Sequence, residues 1–179
     1  MRTGTSGRCT FAVATAIAIT VLMPITRGAL AAEPPCADLK SHQFDFWIGE
    51  WEVSNRLDGK IVGRNRVRPI LDGCALQETW TGVPGSAGTS VNFFDTQRKR
   101  WRQFWVWREG TTLELEGSFA DGRMTMGGDS TEPDGSVVAN RITWFDNPDK
   151  TVRQLWEVSK DGGKTWQAVF DGIYRQSEF

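Results

Sequence analysis

Histidine is nearly missing from this chain: His42 is the only one among 179 residues. A catalytic triad, a histidine zinc site or a histidine-ligated haem would each have to use it. It stands before the first strand of the sequence pattern, so its expected work is local, capping the turn into Phe44–Trp47 or lining one mouth. Tyrosine also occurs once, at Tyr174. No Gly-x-Ser-x-Gly, His-Glu-x-x-His, P-loop or dinucleotide-binding motif occurs, so the common hydrolase, metalloprotease and nucleotide chemistries have no carrier. Cysteine is limited to Cys9, Cys36 and Cys74. The two thiolates of Cys36 and Cys74, those expected to remain after export, and one histidine are too few for a structural zinc site, and neither metal nor cofactor is expected.

The first residues carry a different signal. Arg2 and Arg8 form a basic start, Thr10 to Ile25 is almost wholly apolar or small, and Ala29-Leu30-Ala31 gives a small-x-small cleavage pattern. Residues 1–31 therefore read as a secretory signal peptide, residues 32–41 as a tether, and 42–179 as one domain. The apolar run is short for a membrane anchor and is closed by Pro24, Thr26 and Arg27, so no stable membrane span is expected after cleavage. The expected location is the periplasm or the medium. Export would remove Cys9 and leave Cys36 and Cys74 as an even pair, which predicts a disulfide. It would also remove three arginines and leave 18 basic against 22 acidic residues. That mild acidity argues against nucleic acid as a partner. The basic string Gln97–Arg102 straddles a turn and reads as solvated, edge-protecting charge.

What remains is strand and turn. Asp58-Gly59, Asp72-Gly73, Asp121-Gly122, Asp134-Gly135, Asp161-Gly162 and Asp171-Gly172 punctuate the chain, and Asp-Gly between alternating runs is a hairpin signal. Ten strands fit: 50–57, 60–69, 74–82, 89–95, 100–108, 111–119, 122–128, 136–145, 151–159 and 165–175. The longest predicted loops are Val83–Gly88 and Gly127–Gly135, and a short helical turn is expected near Phe44–Ile48. The fold class is all-β, an up-and-down antiparallel barrel. Ser159-Lys-Asp-Gly-Gly-Lys-Thr-Trp166 matches the Asp-box pattern of sialidase propellers. One copy in a chain too short for a propeller reads instead as a tight hairpin between the last two strands, with Trp166 packing back on the sheet.

Period-2 alternation separates the faces. Trp101, Gln103, Trp105 and Trp107 share one face, as do Val152, Gln154, Trp156 and Val158, and the two strands echo each other as RQFW and RQLW. Leu76, Glu78 and Trp80 fall together; Trp144 takes the same inward side. Nine tryptophans is a heavy load for one domain. Trp47, Trp51 and Trp166 read most simply as core and cap. Trp80, Trp105, Trp107, Trp144 and Trp156, with Glu78, Gln103, Gln154 and Tyr174, are the candidate lining of a ligand cavity. A carboxylate between Leu76 and Trp80 must be paired, protonated or bonded to a neighbouring Gln, Arg or the Tyr174 hydroxyl.

The opening segment His42-Gln-Phe-Asp-Phe-Trp-Ile-Gly-Glu-Trp51 contains Gly49-x-Trp51 at the entry to the first strand, which resembles the lipocalin and calycin signature. Residues 42–175 further resemble a family of exported bacterial proteins of unknown function with lipocalin-like barrels. The matching pieces are FDFWIGEW, LDGCALQETW, WRQFWV, RQLWEVSKDGGKTW and FDGIYR. The resemblance implies that Arg175 packs over Trp51 to close one barrel end. Members often carry an acidic residue where this chain has Trp107. Because that family has no established activity, the resemblance implies fold and location only. Three functions follow as expectations: a binder of a small apolar or aromatic molecule, an enzyme using Glu78 as general acid or base, or an envelope protein with a filled core.

Overall fold

The computed structural model describes residues 36–178 together with positions 1, 3, 4 and 7. The chain divides into two compact units, Met1–Ala32 and Glu33–Phe179. The predicted signal peptide lies almost wholly outside the described residues, as do residues 32–35 of the tether. In the second unit, a 3₁₀ turn at Asp45–Trp47 precedes ten strands. These are β1 (Gly49–Asn55), β2 (Ile61–Ile70), β3 (Ala75–Gly82), β4 (Ala87–Asp95), β5 (Arg100–Trp107), β6 (Thr112–Ala120), β7 (Arg123–Thr131), β8 (Val137–Asp146), β9 (Val152–Ser159) and β10 (Gln167–Gln176). Each strand pairs antiparallel with the next, and β10 pairs with β1, so the sheet is a closed up-and-down barrel. The expected fold class is the one observed. Closure leaves no sheet edge to protect.

Two predicted loops are partly strand. Strand β4 begins at Ala87, and β7 runs on through Gly127 and Gly128 to Thr131. The reason is a close approach of backbones: a Cβ on Gly128 would run into the Glu114 carbonyl of β6. Glycine there marks tight packing of strand on strand. Asp171-Gly172 is likewise inside β10, not in a turn. The Asp171 carboxylate instead takes the guanidinium groups of Arg56 and Arg153 on the outer wall.

The Asp-box segment is the β9–β10 hairpin, as expected. Asp161 accepts bonds from the Thr165 hydroxyl and from the Thr165 and Lys164 backbone N–H groups. Those donors and the Ser159 hydroxyl hold its carboxyl down at about 2. Gly162 and Gly163 supply the positive φ angles. Trp166 is not core: it is half-buried on the outer face, with the Arg141 guanidinium 4.1 Å from its ring centroid.

One barrel end is plugged. Phe44 and Trp47, from the 3₁₀ turn and its cap, are fully buried against Trp101, Trp144 and Tyr174. Trp51 is buried beside them, its ring against Tyr174 and its indole N–H on the Trp47 carbonyl. The expected closure of Trp51 by Arg175 is not what the structure holds. Arg175 alternates with the buried Tyr174, lies exposed opposite Glu52, and donates to Ser54 Oγ. The ring of Tyr174 does the packing that the resemblance assigned to the arginine. His42 also sits at this end, outside the barrel, bonded to Asp45 Oδ2 at 2.7 Å, which fits its expected capping of the turn.

The predicted disulfide is present. Cys36 and Cys74 are bridged, with Cα atoms 5.2 Å apart, tying the segment before the plug to the β2–β3 turn. The closed loop spans 38 residues of sequence separation. Replacing both cysteines by alanine should lower the unfolding free energy by about 3–4 kcal/mol in the chain-entropy account. Denaturant titration of the oxidised protein and of that variant checks it; equal midpoints and slopes would refute it.

Candidate functional site

The inner wall has two halves. At the plugged end it is dry: Leu76, Trp101, Leu115, Met124, Met126 and Trp144 are buried there. Towards the other end a cavity of about 720 Å³ opens beside the β3–β4, β7–β8 and β9–β10 turns. Its upper wall is aromatic. Trp105 meets Trp107 edge to face at 5.6 Å between centroids, Trp107 meets Trp156 at 6.2 Å, and Trp80 meets Phe170 at 6.2 Å. Its floor is polar: Glu78, Gln103, Gln154 and Tyr174 all reach it.

Eight of the nine predicted lining residues are brought together on this wall. Trp144 is the exception. It lies inward as expected but is fully covered by Phe44 and Trp47, with ring centroids 5.2 and 5.4 Å away, in the dry half. Alternation places a side chain on the inner face but does not say at what height the plug ends. Burial there leaves the Trp144 indole N–H without a partner.

The space for the rings is made by glycines on neighbouring strands. A Cβ on Gly63 of β2 would lie 2.5 Å from the Trp80 ring, and one on Gly88 of β4 would collide with the Trp105 ring. The benzo-ring atoms of the two indoles thus lie against bare backbone, in space that a side chain would take.

Sequence reasoning missed the partners of Glu78. They are neither Gln nor Arg. Asn65 Nδ2 donates to Glu78 Oε1 at 3.0 Å, and Ser90 Oγ donates to Oε2 at 2.7 Å. Behind Ser90 the chain of bonds continues. Asn92 Nδ2 donates to Ser90 Oγ at 2.8 Å and reaches the Leu76 carbonyl at 3.4 Å, while Gln103 Nε2 donates to Asn92 Oδ1 at 2.7 Å. The signal was available in the alternation of β4, where Ser90 and Asn92 share the inner face, but short polar residues in a strand stand out less than tryptophans. Gln154 takes the Tyr174 hydroxyl on its Oε1. At the mouth, Trp156 Nε1 donates to Asn140 Oδ1 at 2.9 Å, another unforeseen partner.

Burial pushes the Glu78 carboxyl from 4.5 up to about 7, against the opposing pull of the Ser90 and Asn65 bonds. Burial, reinforced by the Glu78 charge, pushes the Tyr174 phenol well above 10, so it stays protonated. Among the described residues no group of His, Cys, Asp and Glu side chains could hold a metal ion, and no helix is long and apolar enough to cross a membrane.

No protein-family model matches the chain, and no curated protein matches it either. The site offers an aromatic slot over a floor of two amides and one carboxyl. Such a site can hold and orient a small molecule.

The Glu78 shift has a consequence for stability. The unfolded carboxyl ionises near 4.5 and the folded one near 7. Between those values the folded state binds the extra proton, so stability is greatest below the lower value and falls as pH rises to the upper one. The loss is on the order of 3 kcal/mol. Glu78→Gln should remove that slope, making the thermal midpoint flatter than the parent's across this window. A parallel slope in the variant would show that other groups cause it.

Proposed function

We propose that the protein is an exported, calycin-like binding module that holds a small apolar or aromatic molecule in the barrel cavity. The observation that carries this reading is the cavity of about 720 Å³, apolar at the rings and polar at the floor. Its volume lies within the range of small-molecule sites. The Gly49-x-Trp51 entry and the signal-peptide pattern support the calycin and export parts of the reading. The filled-core alternative fits the plugged half but not the open one.

The enzymatic alternative rests on one group. Glu78 near 7 is poised for proton transfer at neutral pH. Its hydrogen-bond partners, Asn65 and Ser90, do not titrate in that range, and Tyr174 holds its proton. Chemistry with a separate acid and base would need a second carrier beside it, and Tyr174 does not release its proton at neutral pH, so binding is the better reading.

A neutral fluorescent probe, N-phenylnaphthylamine, tests the proposal. It should quench tryptophan emission saturably at one molecule per chain. Trp107→Ala removes the ring between Trp105 and Trp156 and should weaken binding by about tenfold, with little change in the thermal midpoint because that ring is only half-buried. Quenching that rises linearly without saturation, or an unchanged affinity in the variant, would count against a cavity site.

A further inference from the structure

We infer that the cavity selects ligands carrying a protonated amine on an apolar or aromatic body, with the amine seated at Glu78. This rests on the binding reading above and narrows it to one head group.

The first support is the missing counter-charge. The inner-face neighbours of Glu78 are Asn65 and Val67 on β2, Leu76 and Trp80 on its own strand, Ser90 and Asn92 on β4, Gln103 and Trp105 on β5, and Tyr174 on β10 beside Gln154 on β9, and none of these is a cation. The arginines of β2 alternate outward: Arg64 is exposed, and Arg66 and Arg68 bond Glu50. The charged residues that line the cavity besides Glu78 are Glu132 and Lys160, both in turns at the mouth. Anionic ligands such as fatty acids would meet a carboxyl and no cation at the floor.

The second support is the direction of the bonds. The Leu76 carbonyl can only accept, so Asn92 turns its amide nitrogen towards it and towards Ser90. Ser90 then has its hydroxyl hydrogen free for Glu78 Oε2 alone. Asn65 presents its nitrogen to Oε1. Both oxygens thus face donors, the arrangement that suits an ionised carboxylate, which only accepts. The unused amide oxygens near Glu78 are acceptors, while the buried Trp105 indole N–H, across Ser90 from it, is a donor left without a partner and carries no charge to balance a carboxylate. Asn65 Oδ1 is buried without a donor, and Gln103 spends its Nε2 on Asn92, which leaves Oε1 as its unused atom. Gln154, with Oε1 occupied by Tyr174, presents an amide N–H, and that cannot neutralise a carboxylate.

The third support is the wall above. Trp80, Trp105, Trp107 and Trp156 line the approach, and ring faces attract a cation through their quadrupoles. A desolvated ammonium therefore meets favourable surface along the path and its counter-ion at the end.

Calorimetry on the whole mature protein with phenylbutylamine, phenylbutanol and phenylbutyrate separates the possibilities. The amine should bind at least about tenfold tighter than the alcohol, with the acid weakest. Binding the amine should release a proton, so its affinity should rise several-fold between about pH 6 and pH 8, while the amine itself stays charged. In Glu78→Gln the preference for amine over alcohol should vanish, and the amine's affinity should lose its rise with pH. If the alcohol or the acid matches the amine, or if amine affinity falls as pH rises, the inference fails and the cavity reading stands. If none of the three binds, and the neutral probe does not either, both fail. The pH profile of the parent protein decides the matter even if the variant does not fold.

Discussion

Five register pairs, from Trp51 with Gln176 to Asn55 with Gly172, join the first strand to the last. Without them the ten strands would be an open ribbon, with two edges and no inside. With them, every inward side chain has a fixed height and a fixed set of opposite neighbours. Tyr174 shows what closure does. Its ring packs on Trp51 across the β1–β10 seam, and its hydroxyl reaches Gln154 on β9. One residue thus joins the dry plug to the polar floor. The same pairing sends Arg175 outward, which is why the arginine expected over Trp51 is found on Ser54 instead.

The interior is divided by what each part can solvate. Below the floor, tryptophan, methionine and phenylalanine pack together; Trp51 and Trp101 bond the Trp47 carbonyl and Gln43, but the indole nitrogens of Trp47 and Trp144 are left unbonded. An unbonded buried donor of that kind costs about 1–3 kcal/mol, offset by the area these rings bury. At the floor the logic reverses. Four adjacent strands, β2 to β5, each contribute an inward polar side chain, and the bonds run from Gln103 to Asn92, Ser90 and Glu78, with Asn65 closing the series. Such a network is stable only as a whole, because any single replacement strands its neighbours in a low-dielectric site.

Much of the fold was legible in the sequence because two signals agree. Alternation located the strands, and Asp-Gly turns separated them, within a few residues. Where they failed, glycine was ambiguous: Gly128 looks like a loop residue and is a contact point between strands. The aromatic wall was legible for the same reason of alternation. Glu78 could be singled out as an inward carboxyl, but Asn65, Ser90 and Asn92 could not be tied to it. Their contacts depend on the cross-strand register, which sets Glu78 opposite Ser90 and next to Asn65, and register is a property of the closed barrel rather than of any one strand. The placement of Trp144 was unreadable on similar grounds, since the plug that covers it comes from a segment about a hundred residues earlier in sequence.

The two faces of the wall treat charge in opposite ways. Outside, carboxylates are matched: Glu50 by Arg66 and Arg68, Asp171 by Arg56 and Arg153, Glu157 by Arg141. Exposed pairs of this kind contribute little each, and water could have served most of these groups as well. Inside, where a counter-ion would matter far more, the chain supplies Glu78 with hydroxyl and amide donors and no cation. Glutamine there would keep the volume and avoid the charge, but its amide nitrogen would face one of the two donors, so this network calls for an acceptor at both positions. A carboxyl kept in that position, at the bottom of a space lined by ring faces, makes sense if the missing charge arrives from outside the chain.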